Sequence, residues 1–143
     1  LTPEERTVMQ SHTVIGAKSA LKGQRTALDA AIRDVTLYHH ARWDGTGYPT
    51  RAEIAAVLEE LGEDGSRVPE PRGEGIPLAG RLVAIADVFD ALMSRRAYKE
   101  AWSPADVRDE FERMSGLHFD PELVQLFLSD FDSYCAIHAA IAG

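Results

Sequence analysis

His39 and His40 stand side by side, and His12, Asp87 and Asp90 fall where the apolar pattern predicts buried helix faces. His12 lies four residues after Val8 and three before Ile15, and His39 extends the stripe Leu28, Ile32, Val35. The neighbours of Asp87 at helical spacing are Gly80, Val83, Ala84, Asp90 and Ala91, so two carboxylates share one side that is otherwise small or apolar. A carboxylate taken from water must find a cation, good donors or a metal. Neutral imidazoles and carboxylates are ligands for iron, manganese, nickel or zinc. Adjacent helical residues diverge by roughly 100°, so His39 and His40 suit two neighbouring ions better than one. Other readings stay open at this level. An inward His12 can simply hydrogen-bond a carbonyl, Asp87 can cap a helix or pair with Arg81, and a His-His pair can interact with a helix C-terminal dipole.

These side chains need helices to carry them. Thr2-Pro3-Glu4-Glu5 is a capping-box start for a helix expected to run to about Lys18, with Val8, Met9 and Ile15 inward. A second helix follows Gly23 and stops at the Gly45–Pro49 turn. A short helix is expected at Arg51–Leu61, ended by Gly62, and residues 62–77 read as an exposed loop. Pro77 opens an apolar helix, with Leu78, Leu82, Ile85, Phe89 and Leu92 on one face and little polar surface opposite, which predicts a surrounded helix. Ser103-Pro104 and Asp120-Pro121 start further helices, and a last one spans Tyr134 to Ile141. No alternating strand pattern occurs, so the expected fold class is all-α.

At 143 residues the chain is long enough for one domain with a core that needs no disulfide. A net charge of −8 with scattered Lys and Arg argues against a DNA or RNA polymer as partner, but leaves room for a small phosphorylated ligand held by metal and local cations. The lone Cys135 fits a reducing, cytoplasmic compartment. The longest apolar run is broken by Arg81, Asp87 and Asp90, so no membrane contact is expected from it. Leu1 in place of a methionine suggests a segment of something longer.

The run His39-His40 followed by Asp44-Gly45-Thr46-Gly47-Tyr48-Pro49 resembles the signature of the HD-GYP domains, bacterial phosphodiesterases of cyclic di-GMP. The similarity continues in order through Ile76-Pro77-Leu78, Arg81 to Leu92, Arg96, Tyr98, Lys99 and Gly116 to Pro121, with Leu1 to Gly16 resembling the preceding block. It implies an HD-type helical bundle over residues 1–128, a C-terminal portion of that domain, with 129–143 as a helical tail. It also implies two or three divalent ions, iron or manganese, activating water against a phosphodiester. By position, His12, His39, His40 and Asp87 would be metal ligands. Tyr48, Arg96 and Lys99 would contact phosphates or guanines, and Asp44, Gly45, Gly47, Pro49 and Asp90 would shape the motif and support the ligands. The implied partners are a cyclic dinucleotide and a signalling protein or fused sensor or receiver domain.

Three departures qualify this likeness. The family's His-Asp dyad, which precedes the block beginning here at Leu1, is absent, Ala41 replaces the Glu that usually follows the two histidines, and the segment 50–75 is longer than usual and has the character of a mobile lid or partner contact. The chain is accordingly expected to be the C-terminal part of a cyclic di-GMP phosphodiesterase completed by upstream ligands. The alternatives are a degenerate module that binds a protein or nucleotide without turnover, and a different phosphohydrolase on the HD fold.

Overall fold

A computed structural model describes residues 2–20, 26–95 and 100–142. Its described residues form α1 (Pro3–Gln10), α2 (His12–Ala20), α3 (Ala27–Tyr38), α4 (Arg51–Glu60), α5 (Leu78–Met93), α6 (Pro104–Met114), α7 (Pro121–Ser129) and α8 (Phe131–Ala142). No strand occurs among them, only an isolated bridge between Ser115 and Phe119. The all-α expectation holds. No helix among the described residues is long and apolar enough to cross a membrane.

Local chemistry accounts for most boundaries. Thr2, Thr26 and Thr50 each accept a hydrogen bond from the backbone of the acidic residue three positions on, whose carboxylate returns the contact. Asp120 opens α7 by accepting from the Glu122 N–H. The single first helix expected from the sequence is broken at Ser11. The Ser11 hydroxyl donates to the Val8 carbonyl at 2.7 Å and His12 Nδ1 faces the Met9 carbonyl at 2.6 Å, so side chains compete for acceptors near the helix end.

Two apolar clusters lie on either side of the junction of α3 and α5. Ala17, Leu37, Tyr38, Ala41, Ile54, Val57, Val68 and Ile76 make the first, from α2 to α4 and the connection after them. Ala84, Ile85, Phe89, Val107, Phe111, Phe119, Val124 and Phe131 make the second, from α5 to α8. The helices meet at Gly80, where a Cβ would stand 2.7 Å from that of Tyr38, so only glycine admits this approach.

Residues 62–77 are more than an exposed loop. They contain 3₁₀ turns at Gly65–Arg67 and Gly73–Gly75, bury Val68 and Ile76, and are tied to α4 where Arg51 Nε donates to the Val68 carbonyl at 2.7 Å. The segment looks polar in sequence because its two anchoring apolar residues are widely spaced.

α5 also departs from expectation. Ala84, Ile85 and Phe89 are buried, but Leu82 is 49% exposed, and Leu78, Ala86, Asp87 and Asp90 lie on the same open side. The apolar faces expected to be inward on the first two helices are open too: Val8, Met9, Ile15, Leu28 and Ile32 are all exposed. Periodicity reports which face is apolar, not whether the described chain covers it.

Candidate metal centre

α3 ends at Tyr38, and His39 is its C-cap. The chain therefore leaves the helix between the paired histidines, and the expected helical divergence does not develop: their ring centroids are 4.1 Å apart. The first turn of α2 brings His12 to the same place, 5.3 Å from the His39 ring and 5.0 Å from that of His40. One ring nitrogen from each of the three lies within 4.8 Å of the others, so a single ion is within reach of all three.

Hydrogen bonding defines what these nitrogens offer. His12 Nδ1 faces the Met9 carbonyl, and His39 Nδ1 faces the carbonyls of Val35 at 2.9 Å and Thr36 at 3.1 Å. Carbonyls only accept, so both Nδ1 atoms donate, and in the neutral rings Nε2 carries a lone pair. Those two Nε2 atoms stand 3.2 Å apart. Two lone pairs at that distance repel unless a positive charge lies between or beside them. Adjacent nitrogen ligands on one divalent ion are separated by roughly 3.0–3.4 Å at ordinary metal–nitrogen distances. Backbone carbonyls that hold the remote N–H are also the usual support of a metal-bound imidazole. The donor set fits a divalent metal.

His40 completes the cluster against Tyr48, whose ring stacks on it at 4.8 Å and 27°. Burial, reinforced by His39 and His12, lowers the His40 pKa to about 4, with Asp87 acting in the opposite sense. The imidazole is therefore neutral at pH 7, as a ligand must be. Burial, with Asp87 second, raises the Tyr48 hydroxyl above its ordinary value. Asp87 thus faces the cluster electrostatically, but it is exposed rather than buried and is not among the groups within 4.8 Å of one another.

The turn that carries Tyr48 is cross-braced. Asp44 accepts from the Thr46 N–H at 2.9 Å and from its hydroxyl at 2.7 Å, and Arg42 reaches both Asp44 and Thr46. Burial opposes ionisation of Asp44, but the hydrogen bonds from Arg42 and Thr46 outweigh it and hold the pKa at about 2. Gly45 has φ +83°, the Tyr48–Pro49 bond is cis and Pro49 is buried. At Gly47 a Cβ would stand 2.5 Å from the His40 carbonyl oxygen and 2.6 Å from the Arg42 nitrogen, so the turn closes on its own backbone. The Trp43 and Asp44 N–H groups donate to the carbonyls of His118 and Leu117 at 3.0 and 2.9 Å.

The partners that the structure gives Asp90 are Ser94 and His138. Its Oδ1 accepts from Ser94 at 3.3 Å and lies 3.4 Å from His138 Nε2 of α8. His138 gives little sign of this in the sequence, although it shares one helix face with the packed Phe131 and Cys135. Arg96 and Lys99, expected at the phosphates or guanines, lie outside the described residues. A concavity of about 630 Å³ on α6 offers no substitute, since Glu100, Asp106, Asp109 and Glu110 outnumber Arg113 there and would repel a phosphodiester.

Residues 52–123 match the family model described as HD domain. Over 97% of its length the chain is 39% identical to a protein of Vibrio cholerae named cyclic di-GMP phosphodiesterase, covering 25% of that relative. It is 35% identical over 99% of its length to another from the same organism, named 3'3'-cGAMP-specific phosphodiesterase 2, of which it covers 23%. A cyclic di-GMP phosphodiesterase of Thermotoga maritima is 37% identical over 90% of the chain, which covers 29% of it. The chain thus spans about a quarter of the length of these relatives.

Proposed function

Because this chain belongs to the HD domain family, in its HD-GYP branch, we propose that it forms the C-terminal part of a bacterial, cytoplasmic phosphodiesterase that hydrolyses cyclic di-GMP to a linear dinucleotide or GMP. The observation that carries this reading is the pair of Nε2 atoms 3.2 Å apart, each left with its lone pair by a carbonyl-bound Nδ1. His12, His39 and His40 would hold the metal, with Asp87 as a nearby carboxylate, and iron or manganese suits this mixed nitrogen and oxygen set. Bound divalent ions supply an acidified water and neutralise charge on the phosphorus oxygens. The protein's own part is to orient the His12 and His39 rings through backbone carbonyls and to hold the Tyr48 ring against a neutral His40, with the Tyr48 hydroxyl protonated at neutral pH. Arg96 and Lys99 would complete an anion clamp on the phosphates. The names carried by the Vibrio cholerae and Thermotoga maritima relatives support cyclic di-GMP, with the mixed cyclic dinucleotide as its natural competitor.

Four side chains do not fill two octahedral ions, so the remaining ligands come from outside these residues. That shortage also supports a second reading, a module that binds nucleotide or protein without cleaving. The test is hydrolysis of cyclic di-GMP and of 3'3'-cGAMP by the full-length protein loaded with iron or manganese. Turnover that vanishes with His39→Ala/His40→Ala is the expected result. Undiminished turnover in that variant removes the ligand role, and calorimetric binding without turnover in the unaltered protein favours the second reading.

A further inference from the structure

Behind the metal centre, Arg81 sits in the first turn of α5 with its Nη1 donating to Asp120 Oδ2 at 2.6 Å. Side-chain exposures are 19% for Arg81 and 5% for Asp120. The other Asp120 oxygen caps α7, so this carboxylate joins two helices through a single arginine. The guanidinium also lies over the Trp43 ring, 5.9 Å from its centroid, within the range of a cation–π contact. Trp43 stands in the motif between the paired histidines and the Gly-Tyr turn, and its carbonyl accepts from the Gly73 N–H at 2.9 Å. One guanidinium therefore touches the motif turn and α7 while belonging to the helix that carries Asp87 six residues on.

This is an expensive way to hold helices together. The Arg81 Nε is buried and meets no acceptor, and Arg81 lines a cavity of about 10 Å³ with Ala41, Trp43, His118 and Asp120. Burying an ion pair with one donor unmade contributes less stability than an apolar pair of similar volume. What such a pair can supply is a fixed register: a planar cation that lies over an aromatic ring of one element and is charge-paired to another tolerates less sliding than aliphatic packing does.

We propose that Arg81 is a positioning residue of the metal centre, acting through Trp43 to fix the His39–Tyr48 turn against α5 and hence against Asp87. The metal part of the test rests on the proposed function, whereas the geometric part does not. Arg81→Met/Asp120→Leu removes both charges, leaving no orphaned ion to unfold the chain. In that variant of the metal-free chain, amide exchange at Trp43 and Asp44 should be at least tenfold faster. The Leu61 amide, at the C-cap of α4 and donating to the Val57 carbonyl, should be unchanged. Cobalt(II) should bind at least tenfold more weakly with an altered visible spectrum, although the chain stays folded, its thermal midpoint lowered only by the loss of the α7 cap. Arg81→Lys, which retains charge but loses the planar guanidinium near Trp43, should fall between the two.

Unaltered Trp43 and Asp44 exchange in a folded double variant would overturn the proposal and leave the pair a purely structural contact. So would an unaltered cobalt spectrum and affinity. Failure of the unaltered chain to take up cobalt would instead count against the metal reading, and the exchange experiment would still decide the positioning role.

Discussion

The turn from Arg42 to Pro49 and the face holding the three histidines adjoin in the chain and are built in opposite ways. The turn is closed. Asp44, Thr46 and Arg42 satisfy one another, Trp43 is pinned from behind by Arg81, and Gly47 lies against its own backbone. The histidine face is open, with Asp87 exposed and apolar side chains of α1, α2, α3 and α5 exposed. On that face the remote Nδ1 atoms of His12 and His39 are tied down by carbonyls, while their Nε2 atoms face each other at 3.2 Å, where a ligand would sit. Rigidity is placed one layer behind the reactive atoms. Preorganised metal sites rely on this arrangement, since a ligand tied up by the protein on its reactive side could not bind.

If the closed side is the rigid one, breaking it should cost most. Asp120→Ala leaves the Arg81 cation without its partner and removes the cap of α7, and the expected loss is about 3–5 kcal/mol in urea unfolding. Asp120→Asn, which keeps the cap and an acceptor, should lose distinctly less. Equal, small losses from both would mean that the ion pair is solvated in solution and that the turn is held by its own bonds.

Gly47→Ala strikes the turn from inside. A Cβ 2.5 Å from the His40 oxygen and 2.6 Å from the Arg42 nitrogen cannot be relieved by a rotamer change, because both neighbours are backbone. The expected destabilisation is about 2 kcal/mol, with weaker metal uptake because the His40–Tyr48 stack moves as well. A variant as stable as the original, with unchanged metal affinity, would show that the turn is softer than its hydrogen bonds indicate.

A smaller effect separates the two sides by pH. His118, beneath the turn, has its pKa lowered to about 4, first by burial and then by Arg42, while His40, at the open cluster, is also lowered to about 4. A histidine whose folded pKa lies below its unfolded value of roughly 6.5 leaves the unfolded chain binding more protons between those values. Stability is therefore fully present above pH 6.5 and falls as the pH drops toward 4. Thermal midpoints should decline over that window, and His118→Gln should flatten the decline without abolishing it. A pH-independent midpoint between 6.5 and 4 would mean that both rings are solvated.

How far the sequence reaches follows the same division. Helix starts are local chemistry, so the Thr2 capping box, Ser103-Pro104 and Asp120-Pro121 are legible within four residues, and the structure places helices there. The association of His12 with His39 is also legible, because both continue apolar stripes, and His40 follows as the next residue. Coverage is not, because the pattern Val8, Ile15, Leu28, Ile32, Leu82 reads the same whether another element lies over it or not. Neither is the break at Ser11, nor the role of Arg81, whose partners Trp43 and Asp120 lie 38 positions before it and 39 after it. Long-range pairing of single polar residues leaves no period to detect. Asp87 shows both limits, since its place beside the cluster follows from the helix and its exposure does not.

The smallest expected effect comes from the open face itself. On α3, Leu37 is fully buried and Leu28 is 68% exposed, although both are leucines on one helix. Leu37→Ala should cost about 2–5 kcal/mol by the transfer and cavity terms of a core truncation. Leu28→Ser removes little buried area, offsets a modest loss of helix propensity with better solvation, and should stay within about 0.5 kcal/mol. Urea unfolding at several protein concentrations is the appropriate measurement, because the two outcomes differ in more than size. A loss above about 1 kcal/mol for Leu28→Ser that grows with protein concentration would mean that a second copy shields this face in solution. The contrast between a closed turn and an open histidine face would then belong to the isolated chain alone.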